Sequence, residues 1–286
     1  MKGNKGTNNS ILIDCTLRDG GYYNRWDFDI DLINRYIHAV SAAGVDFIEL
    51  GFRSIKSNEY YGPLAYTTDN FIFDLNIPDN IQIGIMINAS EFKNSKFLES
   101  NLVKIFPIEA SKSQLSLVRI ATSFREIDIA IKIGRWLKAK KYKIALNIMQ
   151  VASLDSKQIE FFAEQSSLID PEVLFFADST GTLTSDHIIS IINSIKSKWK
   201  GEIGIHAHDN MQRALTNTIE AIANGVNWLD CTVNGMGRGP GNTKTEDLVF
   251  ETKGINDNSI DFLPLIDLVQ NEFFNLKQKY KWGSNP

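Results

Sequence analysis

Residues 143–178 read KIALNIMQVASLDSKQIEFFAEQSSLIDPEVLFFAD, and the repeating unit of the whole chain is visible in them. Lys143–Val151 and Val173–Ala177 are dense in Ile, Leu, Val and Phe without polar alternation, as in parallel strands covered on both faces. Between them Ser156–Leu168 is amphipathic at helical spacing. A strand, a crossover helix and a second strand make a βαβ unit with its strands parallel.

Working outward, further strand runs lie at Ile11–Thr16, Val45–Phe52, Ile81–Ile87, Leu115–Ala121, Ile203–His206 and Trp228–Val233. Helical patterns cover Asp31–Ala43, Glu126–Lys138, Ser185–Lys198 and Gln212–Ala223, with Asp31 expected to cap the first and Gly44 and Gly225 as stop signals. The stretch 53–80 predicts a loop with a short helix, and 88–114 is weakly patterned. Eight such repeats in 286 residues favour a closed α/β barrel, the (β/α)8 TIM barrel, over an open doubly wound sheet. No Gly-x-Gly-x-x-Gly follows the first strand, against the dinucleotide-binding alternative. The expected organisation is a flexible leader at 1–10, one barrel domain at 11–255 and a short C-terminal helical extension at 256–286.

Hydrophobic residues make up 43% of the chain, enough for a large core, and 30 Lys plus Arg against 34 Asp plus Glu gives a net charge of −4. That balance argues against nucleic-acid binding. The polar leader has no apolar h-region, and no apolar run approaches the ~20 residues of a membrane helix, so a cytoplasmic protein is expected. Cys15 and Cys231 fit no zinc spacing and read as buried free thiols of a reducing compartment.

In a barrel, chemistry collects where strands end at the C-terminal face. Four ends are polar: DCTLRDGG at 14–21, ELGFR at 49–53, HAHDN at 206–210 and NGMGRGPGN at 234–242. His206 and His208 are two apart on an extended segment, so both imidazoles project to one side and can meet one point. A bare His-x-His is equally a pair of satisfied core or surface residues. Here two of only four histidines fall at one strand end. Asp19 is the natural third metal ligand, because first and seventh strands of a ring are separated only by the eighth. Arg18 reads either as a loop ion pair or as a fixed cation for a carboxylate or enolate. The glycines at 235–241 either punctuate the chain or bring backbone close to a ligand and aim Asn242 at the metal.

With these three motifs in order, the sequence resembles the superfamily of metal-dependent barrel lyases that includes 4-hydroxy-2-oxovalerate aldolase, hydroxymethylglutaryl-CoA lyase, isopropylmalate synthase and homocitrate synthase. DCTLRDG, HAHDN and TVNGMGRGPGN look like its opening signature, its histidine strand end and its closing loop. The resemblance implies that Asp19, His206 and His208 hold a divalent metal, Mn²⁺ or Mg²⁺ and in some members Zn²⁺, with Asn242 as a further ligand or neighbour. It implies that Arg18 stabilises an enolate oxygen and that Glu49 lines the site. The segments around Arg119 and Asp178 look most like the oxovalerate aldolases, which makes those two residues, with Tyr23, candidates for substrate binding. Two features depart from that branch. Tyr22 stands where those aldolases carry a basic histidine, and a tyrosine with its pKa near ~10 is a better acid than base. Little chain follows the eighth strand, so no dehydrogenase partner is expected. The CoA lyase's loop cysteine is also absent, its neighbourhood reading Arg238-Gly239-Pro240. The expected activity is aldolase-type cleavage or formation of a C–C bond through the enolate of a 2-oxo acid, with Tyr22 and Tyr23 facing the aldehyde. The alternatives are a Claisen-type acyl-CoA synthase and a non-catalytic metal-binding barrel. The partner is a small-molecule substrate, with no nucleic acid and no membrane, and a homodimer is compatible with the sequence.

Overall fold

The computed structural model describes residues 10–93, 95–254 and 259–283. The expected leader, apart from Ser10, and the expected boundary at 255–256 lie outside the described residues. Eight strands, β1 Ile11–Asp14, β2 Phe47–Phe52, β3 Gln82–Asn88, β4 Leu115–Thr122, β5 Ile144–Ile148, β6 Val173–Asp178, β7 Glu202–Ala207 and β8 Trp228–Cys231, form a closed barrel in chain order. Every neighbouring pair is parallel, and β1 closes on β8 in register from Ile11↔Trp228 to Asp14↔Cys231. The (β/α)8 barrel read from the alternation is the fold.

The surrounding helices are α1 Thr16–Gly20, α2 Ile30–Ala42, α3 Asp69–Phe73, α4 Leu98–Ile105, α5 Ile127–Ala139, α6 Ser156–Ser166, α7 Ser185–Lys198, α8 Ala214–Ala223 and α9 Thr245–Lys253. Several element ends shift by one to three residues from expectation, and one shift moves a cap. Asp29, not Asp31, caps α2, its carboxylate accepting from the Asp31 and Leu32 N–H groups, which places Asp31 inside the first turn. Gly44 follows α2 and Gly225 follows α8, both with φ near +80° (78° and 80°), where a side chain would be strained. A further helix over residues 263–280, interrupted by a π turn at Val269–Phe273, lies on α2 through the Arg35–Glu272 ion pair (2.7 Å) and the rings of Tyr36 and Phe273. No helix among the described residues is long and apolar enough to cross a membrane.

The inside of the barrel is filled in layers. Ile13, Cys15, Phe47, Leu117, Ala145, Val173, Phe175 and Trp228 form one apolar cluster. Strand side chains alternate, so residues two further along share that interior face. On β2, β4 and β8 this step leads to Glu49, Arg119 and Asp230, which His206 joins from β7, all buried. The apolar layer is thus the floor under a layer of charges.

A candidate metal centre at the barrel mouth

The site begins where β1 stops. The expected strand ran to Thr16, but the buried Asp14 carboxylate accepts from the Thr16 N–H (2.8 Å) and hydroxyl, turning the chain into the single-turn helix α1. That turn carries Arg18 and Asp19 over the barrel mouth, where Trp26 Nε1 donates to Arg18 O at 2.8 Å. His206 lies on β7 and His208 just beyond it, their ring centroids 5.0 Å apart. One ligand atom each from Asp19, His206 and His208 lie within 4.8 Å of one another, and all three residues are buried. The three chain-distant residues named from sequence do converge.

Around them runs a closed ring of contacts. Asp19 pairs with Arg18 (3.1 Å), Arg18 Nε with Glu49 (2.7 Å), and Glu49 with Arg119 Nε (2.9 Å). Arg119 forks onto both oxygens of Asp230 (Nη2–Oδ1 2.9 Å), Asp230 accepts from His206 Nδ1 at 2.8 Å, and His206 Nε2 returns to Asp19 at 3.4 Å. Burial would push the Asp19 carboxyl up, but Arg18 and the two histidines hold it well below the usual carboxylate range. Burial likewise opposes the charge on Asp230, and Arg119 with His206 overrules it, keeping that carboxylate ionised. The Asp230 contact fixes the His206 ring and its tautomer, the usual orienting partner of a ligating imidazole. His208 is pushed down to about 4 by burial and by His206, so it is a neutral imidazole ready to donate a lone pair.

These residues fit a divalent cation. The donor set is one ionised carboxylate and two imidazoles, suited to a first-row metal with positions left open. Two buried polar atoms here, His208 Nδ1 and Asn242 Oδ1, have no hydrogen-bond partner, a rare condition that a cation or its water would relieve. Asn242 Nδ2 donates to Asp19 Oδ2, and the amide packs so closely on Gly237 that a Cβ there would sit 2.5 Å from it. A second trio, Cys15, His206 and Asp230, is equally compact, but Asp230 is engaged by the Arg119 fork and Cys15 belongs to the apolar floor.

The other candidates are placed less uniformly. Glu49 is buried between two guanidiniums. Arg119 is also buried, with its guanidinium 4.0 Å from the centroid of the Phe175 ring and its charge engaged by Glu49 and Asp230. Asp178 spends its carboxylate on the loop after β6, accepting from Thr180 Oγ1 and the Thr182 and Leu183 N–H groups. Tyr22 is half-exposed beside Trp26 and Phe52, at a cavity of about 240 Å³ that also reaches Asn88 and Glu91. Partial burial raises its hydroxyl above the usual tyrosine value against the pull of Arg18. Tyr23 points elsewhere, its hydroxyl donating to Gly237 O at 3.1 Å and its ring stacked on Tyr280. A cavity of about 810 Å³ around Phe73, Lys104 and Ile108 includes none of these residues. The residue sequence reading missed is Asp230. The available signal was a lone acid in an apolar strand, which must find a buried partner, as must Arg119 in β4.

Residues 9–270 match the HMGL-like family model. The chain belongs to the HMGL-like family. Curated relatives include the oxaloacetate decarboxylase of Mycobacterium tuberculosis, 23% identical over 84% of this chain and 68% of that protein. Another is the 4-hydroxy-2-oxovalerate aldolase of Thermus thermophilus, 26% identical over 91% and 74%. Among solved structures, the N-terminal domain of a candidate aldolase from Bacteroides vulgatus superposes with TM-score 0.85 at 31% identity, covering 96% of this chain and 89% of that one. The hydroxymethylglutaryl-CoA lyase of Pseudomonas aeruginosa shares the fold (TM-score 0.73, 18% identity, 94% and 93% covered). The curated relatives named here, a decarboxylase and an aldolase, are carbon–carbon lyases, in keeping with the lyase resemblance of the sequence.

Proposed function

We propose that this HMGL-like chain acts on a 2-oxo acid, breaking or forming the bond beside the 2-oxo group through an enolate, in the manner of an aldolase. The observation that carries this is the closed charge ring delivering Asp19, His206 and His208 to one point, with His208 Nδ1 and Asn242 Oδ1 left unpartnered there. Asp19, His206 and His208, with Asn242 beside them, would hold the divalent cation, Mn²⁺ or Mg²⁺ by the family resemblance. Such a cation supplies Lewis acidity toward carbonyl and carboxylate oxygens.

The chain's own residues do the rest. Arg18, held by Glu49 and Asp19, is a preorganised positive charge at the mouth that stabilises a developing enolate oxygen. Glu49, Arg119 and Asp230 position Arg18 and His206 rather than touching substrate, because their charges are engaged by one another. Asp178 orders the loop after β6, and Tyr23 anchors the closing loop. Tyr22 keeps its proton at neutral pH and serves as an acid at the mouth.

That acid favours a second reading, decarboxylation, which the Mycobacterium relative's name also suggests. When the bond to a departing carboxylate breaks, CO₂ leaves and its electron pair becomes the enolate; a proton from Tyr22 to the enolate carbon completes the 2-oxo acid. No side-chain base is required. The test is pyruvate release in Mn²⁺ from 4-hydroxy-2-oxo acids and from oxaloacetate, each with wild type and Tyr22→Phe. Pyruvate from the hydroxy acids supports the aldolase reading, and pyruvate from oxaloacetate alone supports the second. Release from neither sinks both.

A further inference from the structure

The glycine-rich loop over residues 235–242 is pinned on two sides. Toward the metal ligands, Asn242 donates to Asp19, the Asp209 N–H donates to Gly241 O (2.9 Å), and His208 and Asn242 pair as an antiparallel bridge. On the other side Trp282, almost fully buried, donates from Nε1 to Asn234 O (2.9 Å), and the Gly283 N–H donates to Gly239 O (3.1 Å). Tyr23 joins the two sides, bonded to Gly237 O and stacked 5.6 Å from Tyr280. A loop so held presents its long cationic side chain, Arg238, from a fixed backbone.

The Arg238 guanidinium lies over the Tyr22 ring, 5.6 Å from its centroid, at the edge of the site. Arg18, Arg53 and Arg119 each have a carboxylate partner, and among the described residues Arg238 has no ion pair. The local charge count matters. Asp19, Glu49 and Asp230 against Arg18 and Arg119 leave one net negative charge, a divalent cation reverses it to one positive, and Arg238 adds another.

We propose that Arg238 anchors a second anionic group, so that the preferred ligands are 2-oxo dicarboxylates. Arg238 is then the residue that selects substrate, by a forked hydrogen bond to the distal carboxylate. The inference rests on the 2-oxo-acid reading above and deepens it. It is tested by binding rather than turnover, with two ligands of equal carbon count, 2-oxoglutarate and 2-oxovalerate, followed in Mn²⁺ by the fluorescence of Trp26, whose ring lies 4.7 Å from that of Tyr22. Wild type is expected to bind 2-oxoglutarate at least ~10-fold more tightly, the usual worth of a charge-assisted hydrogen bond. Arg238→Gln abolishes that preference, 2-oxoglutarate losing far more affinity than 2-oxovalerate, and Arg238→Lys restores part of it. Equal binding of the two acids by wild type, or a preference surviving in Arg238→Gln, overturns the anchor alone. If Mn²⁺ binds by electron paramagnetic resonance yet neither acid does, the 2-oxo-acid reading falls and the anchor with it.

Discussion

The floor and the mouth of this barrel are built from the same strands two residues apart, and they obey opposite rules. On β2 the step is Phe47 to Glu49, on β4 Leu117 to Arg119, on β8 Trp228 to Asp230. The floor is apolar and close-packed, and each side chain there stabilises by leaving water. The mouth layer gains far less from burial, since desolvating paired charges largely offsets their attraction. It persists because each charge fixes the next, and the ring they form fixes Asp19 and His206. One layer holds the fold, the other aims the ligands.

The largest effect that would sharpen this contrast is expected at Asp19. Asp19→Asn keeps the shape but loses the ligand charge, and turnover should drop on the order of 10³-fold with unchanged circular dichroism. Residual full activity would remove Asp19 from the metal set. Asp230→Ala leaves Arg119 buried without its fork, so unfolding in denaturant should show a loss of ~3–5 kcal/mol. Metal affinity should fall ~10–100-fold as the His206 ring is freed. Adding Arg119→Met should restore most of the stability and none of the affinity, and recovery of both would refute the orienting role. Phe47→Ala, in the floor beside Trp228, should cost a similar ~3–5 kcal/mol while the folded fraction binds Mn²⁺ as wild type.

The pH response is a gentler probe. Burial alone would lower the His206 pKa, but Asp19 and Asp230 outweigh it and hold it above the ordinary imidazole value of 6.5. In the metal-free chain that interaction stabilises the fold fully below pH 6.5 and is lost as pH rises through the raised value. For the metal the sign is reversed, because a cation must displace the His206 proton. Mn²⁺ affinity should therefore fall by up to ~tenfold per pH unit below the His206 value. His208, at about 4, adds nothing until the solution is strongly acidic. Affinity flat from pH 5 to 8 would break the argument. The smallest effect is expected at Trp282→Phe, which keeps an aromatic ring but deletes the pyrrole half of the indole and its hydrogen bond to Asn234 O. A loss of ~1 kcal/mol in thermal unfolding is expected, and no change at all would show that the clamp on the loop does not depend on that bond.

Much of this was legible in the chain. Eight apolar runs alternating with amphipathic segments required a parallel α/β arrangement, because parallel strands need crossovers and two covered faces. Asp19, His206, His208 and Asn242 were named as candidates from their strand-end positions and from three motifs that resemble one family's, and the fold brings them together. Arg119 and Asp178 were named for segments that look like a family's, and their partners were invisible. Asp178 serves its own loop, and Arg119 is engaged by Asp230 and Glu49, which lie on other strands.

Sequence alone determined the repeat and named the candidate ligands, since those follow from local periodicity and from the chemistry of single side chains. Tertiary structure alone decided that Asp230 orients His206, that the two guanidiniums close a ring, and that Trp282 clamps the loop bearing Arg238. Each of those is a contact between residues far apart in the chain, and it is the closure of the barrel, not any local preference, that sets which distant strand ends meet.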